Sequence, residues 1–355
     1  MFGSTSMDND KYYVPFFKVK LNGSLIALDV SQKITQVVVT DHLDKADMVQ
    51  LSVDNHDMDM FDIYAELFGE GSELSVTIGY HNGEENEFFG EITRVTSNFS
   101  ANGAPTMSVT AYDMLHRLTR ERTPDTYTKM TDSAIVAKIA GKAKLKPMVM
   151  PTTDIRESVQ TNSNNWLDFL KELAKRNNFE VWAKKDELHF GIRLDGIGTF
   201  HRFKYGESLI SFQPTISTVS QVNEVEVRGW DAKKKKAVVG KAKQKKLAAS
   251  TSVSARGRSQ ITTGAGNNAK KVVNNPNVTT KSEADTLAEA ILKTQSDKLI
   301  EGTGKVIGSP GIKAGTYMML TGLGIKFSGI YFVTESTHTL GTTGYKTDFK
   351  VRKEL

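Results

Sequence analysis

The sequence predicts a mainly β protein with an α+β insertion. Three observations carry this. Short runs rich in Val, Ile, Thr and Phe recur near the start and again near the end. Between them lies a stretch with helical spacing. The last fifty residues return to short apolar runs bounded by glycines at 308, 311, 315, 322, 324, 329, 341 and 344. A length of 355 residues fits about two domains at ~150 residues each.

FFKVKLNG (16–23) alternates apolar and polar residues. KITQVVVTDHLDKADMVQLSVDN (33–55) reads as two strands. ELSVTIGYHNGEENEFFGEITRVTSNF (73–99) reads as three short runs with a turn at His81-Asn82-Gly83, and PTMSVTAYDMLHRL (105–118) closes the region. Such spacing predicts an antiparallel barrel or a sandwich.

TDSAIVAKIAGKAKL (131–145) predicts a helix with apolar residues at 135, 136 and 139 and a cap at Thr131 or Asp132. A second helix follows, with Trp166, Phe169, Leu170 and Leu173 on one face and Asn162, Ser163 or Asn164 as its cap. Strands at 179–183 and 187–191, joined by a Lys-Lys-Asp turn, complete a small α+β unit. Strands are expected again at 208–217 and 222–230. SEADTLAEAILKTQSDKLIEG (282–302) predicts a helix capped by Ser282, with apolar positions at 287, 288, 291, 292 and 299.

Charge is distributed unevenly. Of 46 Lys and Arg, 13 lie between Lys233 and Ser282, where no Asp or Glu occurs. That leaves 33 basic against 41 acidic residues elsewhere, so the body is acidic and the basic excess sits in one segment. The segment's composition predicts an extended hairpin or a mobile loop. Lys233, Lys234, Lys235 and Lys236 fall at its tip, and Lys241, Lys243, Lys245 and Lys246 extend the same patch. These eight are the candidate partner-binding residues.

The sequence carries no motif of catalytic or metal-binding chemistry. The absence of cysteine excludes disulfides, thiolate ligands and thiol nucleophiles. The seven histidines (42, 56, 81, 116, 189, 201 and 338) show no zinc-ligand spacing. There is no nucleophile elbow and no phosphate-binding loop. Asp54, Asp57, Asp59 and Asp62 lack the glycine and terminal glutamate of a calcium loop and read as a solvated turn. Glu84, Glu85 and Glu87 read as a charged hairpin turn. GLGIKFSG (322–329) is expected to join strands rather than open a helix. The three tryptophans, at 166, 182 and 230, each sit in a core-like pattern. His338 lies in a strand of the expected hairpin 329–351. Glu335, three residues away, points to the opposite face, so His338 is expected to contribute packing and one hydrogen bond. No catalytic, cofactor or metal residue is assigned. The N-terminus lacks the pattern of a signal peptide, and no apolar run is long enough to span a membrane.

Several stretches, in this order, resemble the late control protein D family of tailed phages. They are Ala111-Tyr112-Asp113, Gln160 through Phe179, Val225-x-Val227-x-Gly229-Trp230-Asp231, the helix at 283–300, Gly308-x-Pro310 with Ala314-Gly315, Leu320 to Gly324, Phe327 to Val333, His338, and Gly344 to Phe349. The resemblance implies a baseplate hub like the hub part of type VI valine-glycine repeat proteins and contractile injection systems. Its fold would be two tube-like antiparallel β-barrel domains (1–122 and 201–355) with an α+β domain inserted at 123–200. The second barrel would carry the basic insertion 233–282 and the helix 283–300. The implied protein is not an enzyme. It is a homotrimeric adaptor joining a six-fold tail tube to a three-fold spike, in the baseplate of a virion tail or injection particle assembled in the host cytoplasm. Its partners would be the tube protein, a separate spike polypeptide, other baseplate proteins, and tape-measure protein or DNA in the lumen. The alternative is a tail-tip protein of a non-contractile phage that binds a receptor or carbohydrate.

Overall fold

The computed structural model describes residues 14–56, 67–81, 83–101, 103–120, 124–161, 165–193, 200–217, 222–231, 234–243, 269–275, 278–297 and 299–353. The first β region contributes β1 (Pro15–Leu21), β2 (Ser24–Leu25), α1 (Leu28–Gln32), β3 (Ile34–His42), β4 (Met48–Asp54), β5 (Glu73–Tyr80), β6 (Glu85–Asn98) and β7 (Thr106–Tyr112). Buried and solvent-facing residues alternate along β4, β5 and β7, as one covered sheet face requires. Where the sequence suggests three runs between 73 and 99, the molecule has two strands, because β6 continues through a bulge between Ile92 and Arg94. The bulge moves the inward set from Phe88 and Ile92 to Val95, which hides the continuity from a period-two reading.

The inserted unit follows. It comprises a 3-10 turn (Met114–His116), α2 (Arg117–Arg120), β8 (Thr126–Thr131), α3 (Asp132–Lys142), β9 (Lys146–Val149), β10 (Ile155–Gln160), α4 (Trp166–Asn177), β11 (Glu180–Lys184) and β12 (Glu187–Gly191). Thr131 caps α3 by accepting from the Ala134 N–H. The cap of α4 is Asn165, which accepts from the Asp168 N–H; the caps expected at 162–164 lie outside the described residues.

The rest of the chain holds β13 (Phe200–Lys204), β14 (Leu209–Ile216), β15 (Glu224–Asp231), β16 (Lys236–Lys243), β17 (Lys270–Asn274), α5 (Lys281–Asp297), β18 (Ile300–Ile307), β19 (Tyr317–Thr321), α6 (Gly324–Phe327), β20 (Gly329–Gly341) and β21 (Gly344–Lys353). Three expectations need correction. The cap of α5 is Thr280, not Ser282. The Thr280 hydroxyl accepts from the Glu283 N–H, and the Glu283 carboxylate accepts from the Thr280 N–H, a reciprocal box two residues earlier than expected. The helix ends at Asp297 rather than near 300, because Ile300 enters β18 and pairs with Ile216. A short helix, α6, forms inside 322–329, where only a strand connection is expected.

The architecture is mainly β, as the sequence predicts. Both β regions belong to one sheet of 13 strands, whose main path is β14-β18-β21-β20-β3-β4-β7-β6-β5-β1-β2. The join is antiparallel pairing of β20 with β3, from Glu335↔His42 to Gly341↔Gln36. β20 and β21 form the expected hairpin, closed at Gly341↔Gly344, with Gly344 at φ +91° where a side chain would be strained. Four apolar cores lie around this frame. One sits under the first β region, one in the inserted unit, one under β13, β14 and β18–β21, and one between the β16-β15-β17 sheet and α5. Gly240 on β16 lets α5 approach closely, since a Cβ there would lie 2.2 Å from the Ala284 carbonyl carbon.

Candidate interaction face and buried polar clusters

His338 is fully buried, and more polar groups reach it than the sequence suggests. Its Nε2 lies 2.8 Å from the Ile312 carbonyl, which can only accept, so Nε2 carries the proton. Nδ1 then accepts, from the Tyr345 hydroxyl at 2.9 Å, with Thr347 Oγ1 at 3.1 Å. Burial lowers the imidazole pKa and favours the neutral ring, although the Asp41 carboxylate pulls the other way. Ser336 Oγ sits 3.3 Å from Nε2 and donates to Asp41 at 2.9 Å. A serine, a histidine and an aspartate therefore meet here, but in the wrong order for nucleophilic catalysis. The carboxylate holds the serine, and a tyrosine occupies the ring nitrogen that an orienting carboxylate would take. Glu335 faces the other side, against His42 and Lys350, as expected.

A second polar cluster lies between the inserted unit and α5. Arg156 of β10 pairs through Nη1 with Glu283, and its Nη2 lies 3.5 Å from Asp132. Arg176 of α4 approaches the same Asp132 at 3.9 Å and Glu172 at 3.7 Å. Arg156, Arg176, Asp132 and Glu283 are all buried. The Nε, Nη1 and Nη2 of Arg176 make no hydrogen bond, and burial lowers its pKa.

A third cluster lies at the end of β3, β4 and β7. Asp113 caps the 3-10 turn by accepting from the Leu115 N–H, and Asp47 accepts from the His42 N–H at 2.7 Å. Burial pushes both carboxyls up, that of Asp113 to about 7. Among the described residues, no group of three or more His, Cys, Asp or Glu is placed to hold a metal ion. Asp57, Asp59 and Asp62 of the acidic turn lie outside the described residues.

The basic segment contributes a built sheet rather than a free loop over its described part. β16 pairs antiparallel with β15, and β17 pairs with β15 in parallel. Alternation sends Val225, Val227 and Ala242 toward Ala284 and Ala288 of α5. The other face carries Glu224, Glu226, Arg228 and Trp230 of β15. Lys243 pairs with Glu224 at 3.3 Å, and Lys241 with Glu226 at 3.4 Å. Lys270 bridges both carboxylates, and Arg228 Nε lies 2.8 Å from Glu226. The Lys270 ammonium and then Arg228 hold the Glu226 carboxyl down at about 2.

The eight candidate lysines therefore divide. Lys241 and Lys243 are ion-paired within the sheet, Lys234 pairs with Asp231 at 3.7 Å, and Lys235 and Lys236 are exposed at the hairpin tip. Lys233, Lys245 and Lys246 lie outside the described residues. Arg228, Trp230 and Lys270 share the open face but are not among the candidates. Their signal is period-two charge, Glu-x-Glu-x-Arg at 224–228 opposite Lys-x-Lys at 241–243. The core assignment of the tryptophans holds for Trp166 and needs correction elsewhere. Trp182 is half-buried against His189, and Trp230 is 50% exposed, because it falls on the face that α5 does not cover.

A sequence profile of the family described as the Alg8 N-terminal domain matches residues 12–342. No curated protein matches the sequence. Solved structures share the fold. The 43 kDa tail protein of prophage MuSo2 from Shewanella oneidensis superposes with a TM-score of 0.71 at 13% identity, over 95% of this chain and 98% of that one. The tail protein from Neisseria meningitidis MC58 gives 0.69 at 13% identity, over 96% and 97%. The c3393 protein of E. coli is described as a component of the type VI secretion system with structural similarity to the T4 bacteriophage tail proteins gp27 and gp5. It gives 0.60 at 12% identity, over 95% of this chain and 77% of that one. At such identities the likeness is one of fold. Among the described residues no helix is long and apolar enough to cross a membrane.

Proposed function

The chain belongs to the Alg8 N-terminal domain family, and from the fold it shares with tail proteins we propose that it is a structural baseplate hub of a contractile tail or injection machine. In this reading three copies form an adaptor between a six-fold tail tube and a three-fold spike, and the protein catalyses no reaction. The observation that carries the reading is the fold shared with phage tail proteins over 95% of the chain. The single sheet supports it, since two β regions from each of three chains present six similar units to a six-fold partner. The division into barrel domains at 1–122 and 201–355 with an insertion at 123–200, and the kinship to the late control protein D family, belong to the same proposal. So does a location in the tail baseplate, with tube, spike and other baseplate proteins as neighbours and tape-measure protein or DNA in the lumen.

A reconstruction of the assembled particle tests it. Three copies around the tail axis at the tube–spike junction are expected, and one copy per particle would overturn the reading. The exposed Trp230 favours a second reading, a tail-tip protein that binds carbohydrate through an aromatic surface. Glycan-array binding lost in Trp230→Ala would establish that alternative.

A further inference from the structure

The β16-β15-β17 sheet buries one face beneath α5 and leaves the other without cover among the described residues. A solvated face of this kind ordinarily carries polar side chains alone. This one exposes Trp230 at 50%, with Val239 opposite Arg228 and Val272 opposite Glu226, at 37% and 43%. Arg228 stands between Trp230 and the lysines, and Lys241, Lys243 and Lys270 form the rim. An arginine among apolar side chains, with an aromatic at one end of the face and lysines at the other, has the composition of a protein-binding surface.

Charge selects the occupant. The face holds four cations against Glu224 and Glu226, a net of two positive charges, and each of the four cations already contacts a carboxylate. A phosphate backbone, with one charge per ~1.7 Å of duplex, would run over those two carboxylates. A protein surface with spaced carboxylates meets no such penalty. This chain supplies one, because outside 233–282 it has 33 basic against 41 acidic residues. Glu84 in the β5–β6 turn and Glu85 and Glu87 at the start of β6 are exposed within four positions, Glu87 lying 3.9 Å from Lys185 of its own chain. No ion pair joins that turn to the open face within one chain, among the described residues.

We propose that the open face of the β16-β15-β17 sheet, through Arg228 and Trp230, docks on the acidic Glu84–Glu87 stretch of a second copy of this chain. The choice of a second copy rests on the multimeric reading above. Two different patches meet, so the contact is head-to-tail and closes only in a ring.

The test uses two full-length variants, Arg228→Glu/Trp230→Ala and Glu84→Gln/Glu85→Gln, both altered at exposed positions and neither complementary to the other's altered side. Circular dichroism checks that each folds as wild type does. Sedimentation of wild type should show self-association that weakens as salt rises from about 50 to 500 mM, where screening shortens from over ~10 Å to a few Å. Each variant alone should associate at least ~10-fold more weakly. Mixed together they should form a dimer and stop there, because one intact face meets one intact turn. Variants that associate like wild type, or a mixture that stays monomeric, would overturn the proposal. Wild type that stays monomeric throughout would do the same. A ~20-nucleotide single strand bound by wild type and released by Arg228→Glu/Trp230→Ala, without self-association, would assign the face to nucleic acid instead. If a particle reconstruction shows three copies while the variants assemble normally, the docking proposal fails and the hub reading stands.

Discussion

Arg156 and Glu283 are 127 positions apart in sequence and form a buried ion pair that ties the inserted unit to the first turn of α5. The same carboxylate accepts from the backbone N–H groups of Thr279 and Thr280, at 2.9 and 3.2 Å. One side chain therefore both starts a helix and holds that helix to a different core.

Removing one partner leaves the other charged and buried. Glu283→Ala should cost roughly 3–5 kcal/mol, because the buried Arg156 loses its nearer carboxylate, keeping only Asp132 at 3.5 Å, and α5 loses its cap together. Replacing both, Arg156→Met with Glu283→Gln, should cost less than Glu283→Ala alone, since no unpaired charge remains and glutamine keeps part of the cap. Urea unfolding measures both. A double variant less stable than Glu283→Ala would show that the pair itself, rather than the stranded charge, carries the stability.

His338→Ala should destabilise by roughly 2–5 kcal/mol, more than one strand hydrogen bond is worth. The change opens a cavity and strands the Tyr345 hydroxyl and the Ile312 carbonyl. Burial lowers the imidazole pKa, so the unfolded chain takes up the proton first as pH falls. The stability tied to the neutral ring is complete above about 6.5 and declines below it. In His338→Ala that decline should shrink. A loss under ~1 kcal/mol on denaturant unfolding would return His338 to a minor packing role.

Asp113 has the opposite sign. Burial raises its carboxyl from the ordinary 3.8 to about 7, so the folded protein keeps the proton longer than the unfolded chain does. Its contribution is complete below about 4 and is lost as pH rises toward 7. Asp113→Asn keeps the acceptor for the Leu115 N–H and cannot ionise. At ~1.4 kcal/mol per pKa unit, the variant should gain roughly 1–3 kcal/mol on the parent between pH 5 and pH 8. The readout is Tm at the two pH values. Parallel shifts in both proteins would rule out Asp113 as the titrating group.

Local features were legible in the sequence because local chemistry decides them. Alternation and two glycines mark the β20–β21 hairpin, and Thr131 marks the start of α3. What was hidden depends on residues far apart. Nothing near Val39 reveals that it pairs with His338, and nothing near Arg156 points to Glu283. Trp230 looked like core because strand residues alternate; which of two faces is covered depends on where α5 lands. The true cap of α5 was missed because Ser282 offers an equally good hydroxyl, and the choice falls to Glu283, already held by Arg156. At His338 the strand face is legible from alternation, while Asp41, Ile312 and Tyr345 arrive from other segments.

The pairing of β20 with β3 sets an order of events on the ribosome. Thr40 and Thr337 face each other in that pairing and are 297 positions apart. At ~5–20 residues per second, roughly 15–60 s separate the synthesis of the two strands. Throughout that interval β3 has its pairing edge toward β20 unfilled, a row of backbone donors and acceptors open to any other nascent strand. Premature release of the chain, before Gly329–Gly341 emerges, would leave that edge permanently open.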